Sequence, residues 1–226
     1  METQHSSEWY RKRLGKITGS RVGDLMKSPR SKSEVFTDTA KAYIYQLAAE
    51  REMNSSIVDN DELFAIYLNQ VEVSTKAMRW GNEQEEDARE LYASTTGNHI
   101  DEAGLCAYSE MPNFGSSPDG CVVDHNGELI GCIEIKCPNQ NTYVKYGTEV
   151  KDGESLKRVK PEYYWQCQSH MLVLGVEWCD LVVYCAWQTK PLRVCRINAN
   201  AEDQELIRER VEMADSEIER ILKLLT

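Results

Sequence analysis

The sequence predicts an α/β protein in which helices flank a mixed β-sheet. Three observations carry that expectation. Helical periodicity dominates the N-terminal part, apolar runs of period two fill the middle, and a long amphipathic helix closes the chain. At 226 residues, 41% hydrophobic and 28% charged, the chain can bury a sizeable core and reads as one domain over 1–226. No internal repeat, low-complexity segment or Gly/Ser/Pro-rich linker divides it.

Taken in order, serines ahead of EWYRKRLG predict a capped short helix, and a second begins near TGSRVGDLM. TDTAKAYIYQLAAERE has apolar residues at helical spacing. A longer helix runs from about Thr75 to Thr95 and stops before Gly97, a suitable residue for a left-handed C-terminal cap. GLCAYS, GCVVD and ELIGCIEIKC read as strands, the last two joined through DHNGE, whose Asn126-Gly127 pair has hairpin-turn chemistry. PEYYWQCQSHMLVLG reads as a helix with Pro161 at its first position and Gly175 beyond its end. WCDLVVYCAW and LRVCRIN supply two more strands before the terminal helix over 201–225.

Alternation along GCIEIKCP sends Ile133, Ile135 and Cys137 to one face and Cys132, Glu134 and Lys136 to the other. Two opposite charges inside an apolar strand call for a chemical reason. Pairing across the Asn-Gly turn brings Asp119, at the mouth of GCVVD, beside Glu134, although the two are 15 positions apart. Adjacent carboxylates resist ionisation together unless a cation sits between them. Hard oxygen donors, with the Ile135 carbonyl as a further ligand, favour Mg²⁺ or Mn²⁺ over zinc. Lys136 can hold and help deprotonate a water, so the set suits phosphodiester hydrolysis. Glu85 lies three residues before Ala88, on the core side of its helix, and on residue pattern alone reads as a surface acid. Gln166 and Gln168 cannot both face one way: one can orient a phosphate or water while the other is structural.

Composition excludes other classes. The net charge is −11, yet from Trp9 to Lys32 eight Lys/Arg face one acid, Asp24, a local balance of +7. On its own that segment reads equally as a solvated basic face and as a phosphate-contacting one. Eight cysteines include no CxxC pair and four histidines are dispersed, so reduced buried thiols are expected and a zinc site is not. No run approaches the roughly 20 apolar residues that span a bilayer, and METQHSSEWYRKR lacks a signal peptide's apolar core. A cytoplasmic protein without a membrane partner is expected.

Five stretches, WYRKRLGKITGS, RWGNEQEEDAR, SPDG, EIKCP and YYWQCQ, resemble in order and nearly end to end the YqaJ-type viral recombinase family, the family of the phage lambda exonuclease. The resemblance implies the restriction-endonuclease-like PD-(D/E)xK fold. It implies a Mg²⁺-dependent exonuclease, with Mn²⁺ as a substitute, that degrades the 5′ strand of linear duplex DNA. Such enzymes are ring-shaped homotrimers that leave 3′ single strands for an annealing partner protein. Carried onto this sequence, Asp119, Glu134 and the Ile135 carbonyl would hold metal, and Lys136 would activate water, with Glu85 and Gln166 completing the catalytic set. Arg13, Ser20 and Ser117 resemble a pocket for the 5′-phosphate, Arg30 a groove-contacting arginine, and Met78 an apolar wedge at the terminal base pair. Two stretches are longer than in the lambda enzyme: the turn between Asp119 and Glu134, and SSIVDNDELFAIYLNQVEVS ahead of the Glu85 helix. The alternatives are another nuclease of the same fold, restriction-type or RecB/Cas4-like, and a catalytically silent DNA-end-binding module. A Cas4-like enzyme needs a cysteine cluster that these spacings do not offer.

Overall fold

The computed structural model describes residue 4, residues 6–71 and residues 76–225, the side chains of 76–78 excepted. The chain opens with α1 (Ser7–Arg13), whose cap is the Ser6 hydroxyl accepting from the Trp9 amide at 3.2 Å. Next come β1 (Ile17–Thr18), α2 (Gly19–Leu25) and α3 (Asp38–Arg51), the last capped by Thr37. Two helices follow that periodicity did not forecast, α4 (Ser55–Val58) and α5 (Asp61–Val71). Then α6 (Lys76–Thr96) ends at Gly97, whose φ of +75° is the left-handed conformation that glycine adopts without steric cost.

The strands lie in two sheets rather than one. β1 pairs in parallel with β4 (Met111–Ser116), which pairs antiparallel with β3 (Cys106–Tyr108). GLCAYS therefore belongs to this small sheet and not to the one that holds GCIEIKCP. The larger sheet has the order β2 (His99–Asp101), β5 (Gly120–Val123), β6 (Leu129–Lys136), β7 (Trp178–Tyr184) and β8 (Leu192–Asn198). It is mixed, as expected. β5 and β6 form the forecast antiparallel hairpin, while β6 and β7 are parallel. A parallel pair needs a crossover. Here it is made by α7 (Gln140–Glu149), α8 (Gly153–Val159) and α9 (Pro161–Leu174), and α10 (Ala201–Leu225) completes the chain.

Helices cover both faces of the larger sheet, and the alternation in β6 decides which residue meets which layer. Ile133 and Ile135 pack with Val122 and Val182 under Ala88 and Tyr92 of α6. Cys132 faces the other way, into the larger core with Cys179, Leu181 and the Cys167 and Met171 side chains of α9. The sheet is thus apolar on both faces, and charged groups within it stand only where a partner meets them. Among the described residues no helix is long and apolar enough to cross a membrane.

Candidate active site

Asp119 sits where β5 begins, and its amide donates to the Ile133 carbonyl at 3.1 Å, extending the hairpin ladder by one residue. This register sets Asp119 beside Glu134, as expected. The Asp119 Oδ2 accepts from the Ile135 amide at 2.6 Å. Its other oxygen accepts no hydrogen bond among the described residues, although the side chain is buried. Glu134 is 1% exposed and both its oxygens are engaged. Oε1 accepts from the Lys136 ammonium, and Oε2 lies 2.6 Å from His170 Nε2.

The electrostatics follow from this geometry. Burial, reinforced by Glu134, pushes the Asp119 carboxyl well above the ordinary aspartate range. Burial also acts against Glu134, but Lys136 and His170 outweigh it and hold that carboxyl below its usual value. Lys136 likewise resists burial, because Glu134 and Asp119 together push its pKa up. Its ammonium also stands 4.9 Å from the centre of the Tyr163 ring, in cation–π range. A buried carboxylate oxygen without a donor, beside a second carboxylate, is a position that a divalent cation fits. The donors are hard oxygens, which suits Mg²⁺ or Mn²⁺. Among the described residues no three His, Cys, Asp or Glu side chains gather to hold a metal ion, so the fit rests on the two carboxylates, Asp119 and Glu134.

Glu85, on α6, lines a cavity of about 210 Å³ together with Asp119, Arg89 and Glu102. Burial raises its carboxyl, Lys136 lowers it and Glu134 raises it, which puts Glu85 in electrical contact with the cluster. Gln166 falls on the stripe Tyr163–Gln166–His170 of α9, one side of a helix whose two flanking members touch Lys136 and Glu134. Gln168 is the structural glutamine: its amide group donates to the Asn198 carbonyl at 2.9 Å and accepts from the Asn200 amide at 3.0 Å.

The basic N-terminal segment divides in two. Arg11 pairs with Asp61, while Arg21 and Lys27 both pair with Asp24, so part of its charge is neutralised locally. Arg13 differs, since its guanidinium donates to Ser117 Oγ at 3.1 Å and to Ser20 Oγ at 3.4 Å. The Trp9 ring lies 4.1 Å beneath the guanidinium, and its indole N–H donates to the same Ser117 oxygen. Arg13, Ser20 and Ser117, with 104 positions between the first and the last, therefore converge. A cavity of about 290 Å³ opens beside Arg13, Thr18 and Ser20. Arg30 is exposed in the connection between α2 and α3. The side chain of Met78 lies outside the described residues. A larger cavity of about 890 Å³, between α3, α10 and the loop at 33–36, holds none of these residues.

His170 and Ser116 were not foreseen: dispersed histidines argued against zinc and nothing more. One signal was available, because His170 stands four residues after Gln166 and so shares its helix face. Trp9 also went unassigned, although it begins the first of the five resembling stretches.

The model of the YqaJ-like viral recombinase domain matches residues 8–177. Among solved structures, the alkaline exonuclease LHK-Exo from Laribacter hongkongensis is 30% identical, covers 97% of this chain and 96% of its own, and superposes with a TM-score of 0.77. LHK-Exo in complex with dAMP gives 31% identity over the same shares, also at 0.77. A phage-related exonuclease from Haemophilus somnus 129PT, 18% identical over 93% of this chain and 96% of its own, shares the fold at 0.66. Among curated proteins no relative matches. The mixed sheet flanked by helices is consistent with the restriction-endonuclease-like fold, and the matched residues run from α1, which carries Arg13, past β6 and α9: the chain belongs to the YqaJ-like viral recombinase family.

Proposed function

We propose that the chain, acting as a single nuclease domain, is a divalent-metal-dependent exonuclease that removes nucleotides from the 5′ strand of linear duplex DNA. The observation that carries this reading is the buried Asp119–Glu134 pair, with one Asp119 oxygen unbonded among the described residues and Lys136 alongside. The exonuclease activity named for LHK-Exo supports it. Asp119, Glu134 and the Ile135 carbonyl would hold the cation, Mg²⁺ or Mn²⁺. When bound, the cation supplies charge stabilisation at the phosphoryl oxygens and an acidified water. Lys136 orients that water and offsets developing charge, and Glu85 and Gln166 border the reacting centre. Asp119 and Glu134 hold Lys136 as the ammonium, and a cation between the carboxylates would weaken that field, so that Lys136 would release its proton to solvent more readily and could then, as the neutral amine, accept one from water.

The Arg13–Ser20–Ser117 group receives the 5′-phosphate. Ser117 stands two residues before Asp119, about 7 Å along an extended chain. A terminal phosphate held there leaves the next phosphodiester within reach of the carboxylates, and a mononucleotide is released. Hydrogen bonds from Arg13 and the serine hydroxyls read the phosphate and not the base, so the reaction is indifferent to sequence and sensitive to salt. Arg30 and Met78 contact the duplex near its end. The partners that complete this reading are two further copies of the chain, in a ring, and a protein that anneals the 3′ single strands left behind.

The test uses linear duplexes labelled on one strand, with 5′-phosphate or 5′-hydroxyl ends, in Mg²⁺. The wild-type protein is expected to shorten the labelled strand from its 5′ end, faster when that end is phosphorylated, and Arg13→Ala is expected to lose the preference while still hydrolysing. Shortening from 3′ ends contradicts the polarity, and an unchanged preference in Arg13→Ala places the phosphate elsewhere.

A further inference from the structure

Behind the carboxylates, three buried polar side chains from three elements form a continuous line. Glu134 of β6 lies 2.6 Å from His170 Nε2 of α9, and His170 Nδ1 lies 2.6 Å from the Ser116 hydroxyl at the end of β4. All three are at most 1% exposed. An ionised carboxylate can only accept, so the ring hydrogen facing it is on Nε2. In the neutral ring Nδ1 then accepts from the Ser116 hydroxyl, which fixes both the tautomer and the ring plane. The hydroxyl is itself walled in: a Cβ on Gly19, at the start of α2, would stand 2.1 Å from Ser116 Oγ and 3.1 Å from the Ser169 Cβ.

The two oxygens of Glu134 are therefore distinguished by their surroundings. Oε2 faces inward to the fully buried histidine, while Oε1 faces Lys136, whose side chain is 23% exposed toward the cleft. A carboxylate with one oxygen tied down cannot swing or rotate its plane freely, and a ligand oxygen presented in one direction binds a cation at lower entropic cost.

We infer that His170, buttressed by Ser116, is a positioning residue: it holds the Glu134 carboxylate in the plane that presents Oε1 to the cation. The inference rests on the metal-dependent reading above and adds to it a residue that contacts neither cation nor DNA. Outer partners of metal ligands commonly contribute a factor of about 10–100 in metal affinity. The hydrogen bond that matters is the N–H at Nε2, so a side chain offering a donor at the same reach should replace it. Glutamine does so through its Nε2 and leucine does not. Ser116→Ala removes only the support behind the ring.

The test is a calorimetric titration of Mn²⁺ into the metal-free protein, without DNA, for wild type, His170→Leu, His170→Gln and Ser116→Ala, with kcat and KM on linear duplex measured alongside. His170→Leu should weaken Mn²⁺ binding about 10–100-fold. It should lower kcat at limiting cation and leave KM for DNA within about twofold, as expected when no DNA contact is lost. His170→Gln should recover most of the affinity, and Ser116→Ala should fall between. Wild-type affinity in His170→Leu, or an equal loss in Gln and Leu, overturns the positioning role and leaves the nuclease reading standing. If His170→Leu does not fold, Ser116→Ala decides: weakened Mn²⁺ binding supports the inference and unchanged binding overturns it. A wild-type protein that binds neither Mn²⁺ nor Mg²⁺ overturns the metal-dependent reading itself, and this inference with it.

Discussion

At Glu134 and Lys136 the alternation of a strand and the chemistry of a cleft meet in adjacent positions. Their neighbours Ile133 and Ile135 go into the apolar layer under α6, so the charged pair is forced to the opposite face. There each charge has a named partner, and among the described residues Asp119 has an oxygen to spare. Lys136→Ala removes the ammonium but none of the cation's ligands. It is expected to lower hydrolysis by about 10²–10⁴, as for loss of a group that handles a proton, with DNA binding changed only a few-fold in a filter or anisotropy assay. Asp119 carries a second expectation. A carboxyl whose folded-state pKa is raised binds more protons folded than unfolded, so its contribution to stability falls as pH rises from the unfolded value through the raised one. At neutral pH, without cation, Asp119→Asn should therefore melt higher than wild type. A gain of about 1 kcal/mol corresponds to a rise of about 2–4 °C for a chain of this size. It should shrink in mild acid and disappear only at about pH 4 and below, near the unfolded aspartate value. A lower melting temperature for the variant at neutral pH would show that the buried carboxylate is well compensated and sink this reading.

Among the elements, those with strong local signals were legible and those held by distant partners were not. The β5–β6 hairpin announced itself by alternation and the Asn126-Gly127 turn, and α9 by Pro161 at its first position and Gly175 (φ +68°) at its end. β4 went unread because MPNFGS contains Pro112, Asn113 and Gly115, poor strand formers. It is extended because β1 and β3 pair with it on either side. α7 is similarly weak in propensity, with two threonines, Val144 and Gly147 in ten residues, and is secured by the Asn139 cap and by burial of Tyr143 and Tyr146. The same distinction explains the site. Asp119, Glu134 and Lys136 belong to one hairpin and could be placed together by register. His170 is 36 positions from Glu134, and only the crossover through α7–α9 brings it home. α8 offers a clean check on local forces. Asp152 caps it, accepting from the Ser155 amide at 2.8 Å while the Ser155 hydroxyl returns to the Asp152 amide. Asp152→Ala should cost about 1 kcal/mol in a denaturant melt and leave hydrolysis unchanged, because no candidate site residue lies on α8. Lost activity at full folding would tie this helix to the chemistry.

For the whole molecule, the sum of charges is less informative than where the cations are free to act. On the proposed reading, a chain of net charge −11 would repel DNA over much of its surface, and that repulsion would help guide an end to the region where Arg13 and two hydroxyls converge. A ring of three copies would add a topological hold on the duplex. In sedimentation it would be seen as a particle of three times the 25.9 kDa chain mass, whereas a particle of one chain mass at assay concentration would remove the ring from the proposal. The most direct measurement is simpler. Purified protein is incubated with linear and with covalently closed duplex DNA, in Mg²⁺ and in excess chelator, with Glu134→Gln in parallel. Nucleotides released from the linear DNA alone, and lost both with chelator and with Glu134→Gln, are the expected result. Cutting of the closed circles, or undiminished hydrolysis in chelator, would contradict a metal-dependent exonuclease built on the Asp119–Glu134 pair.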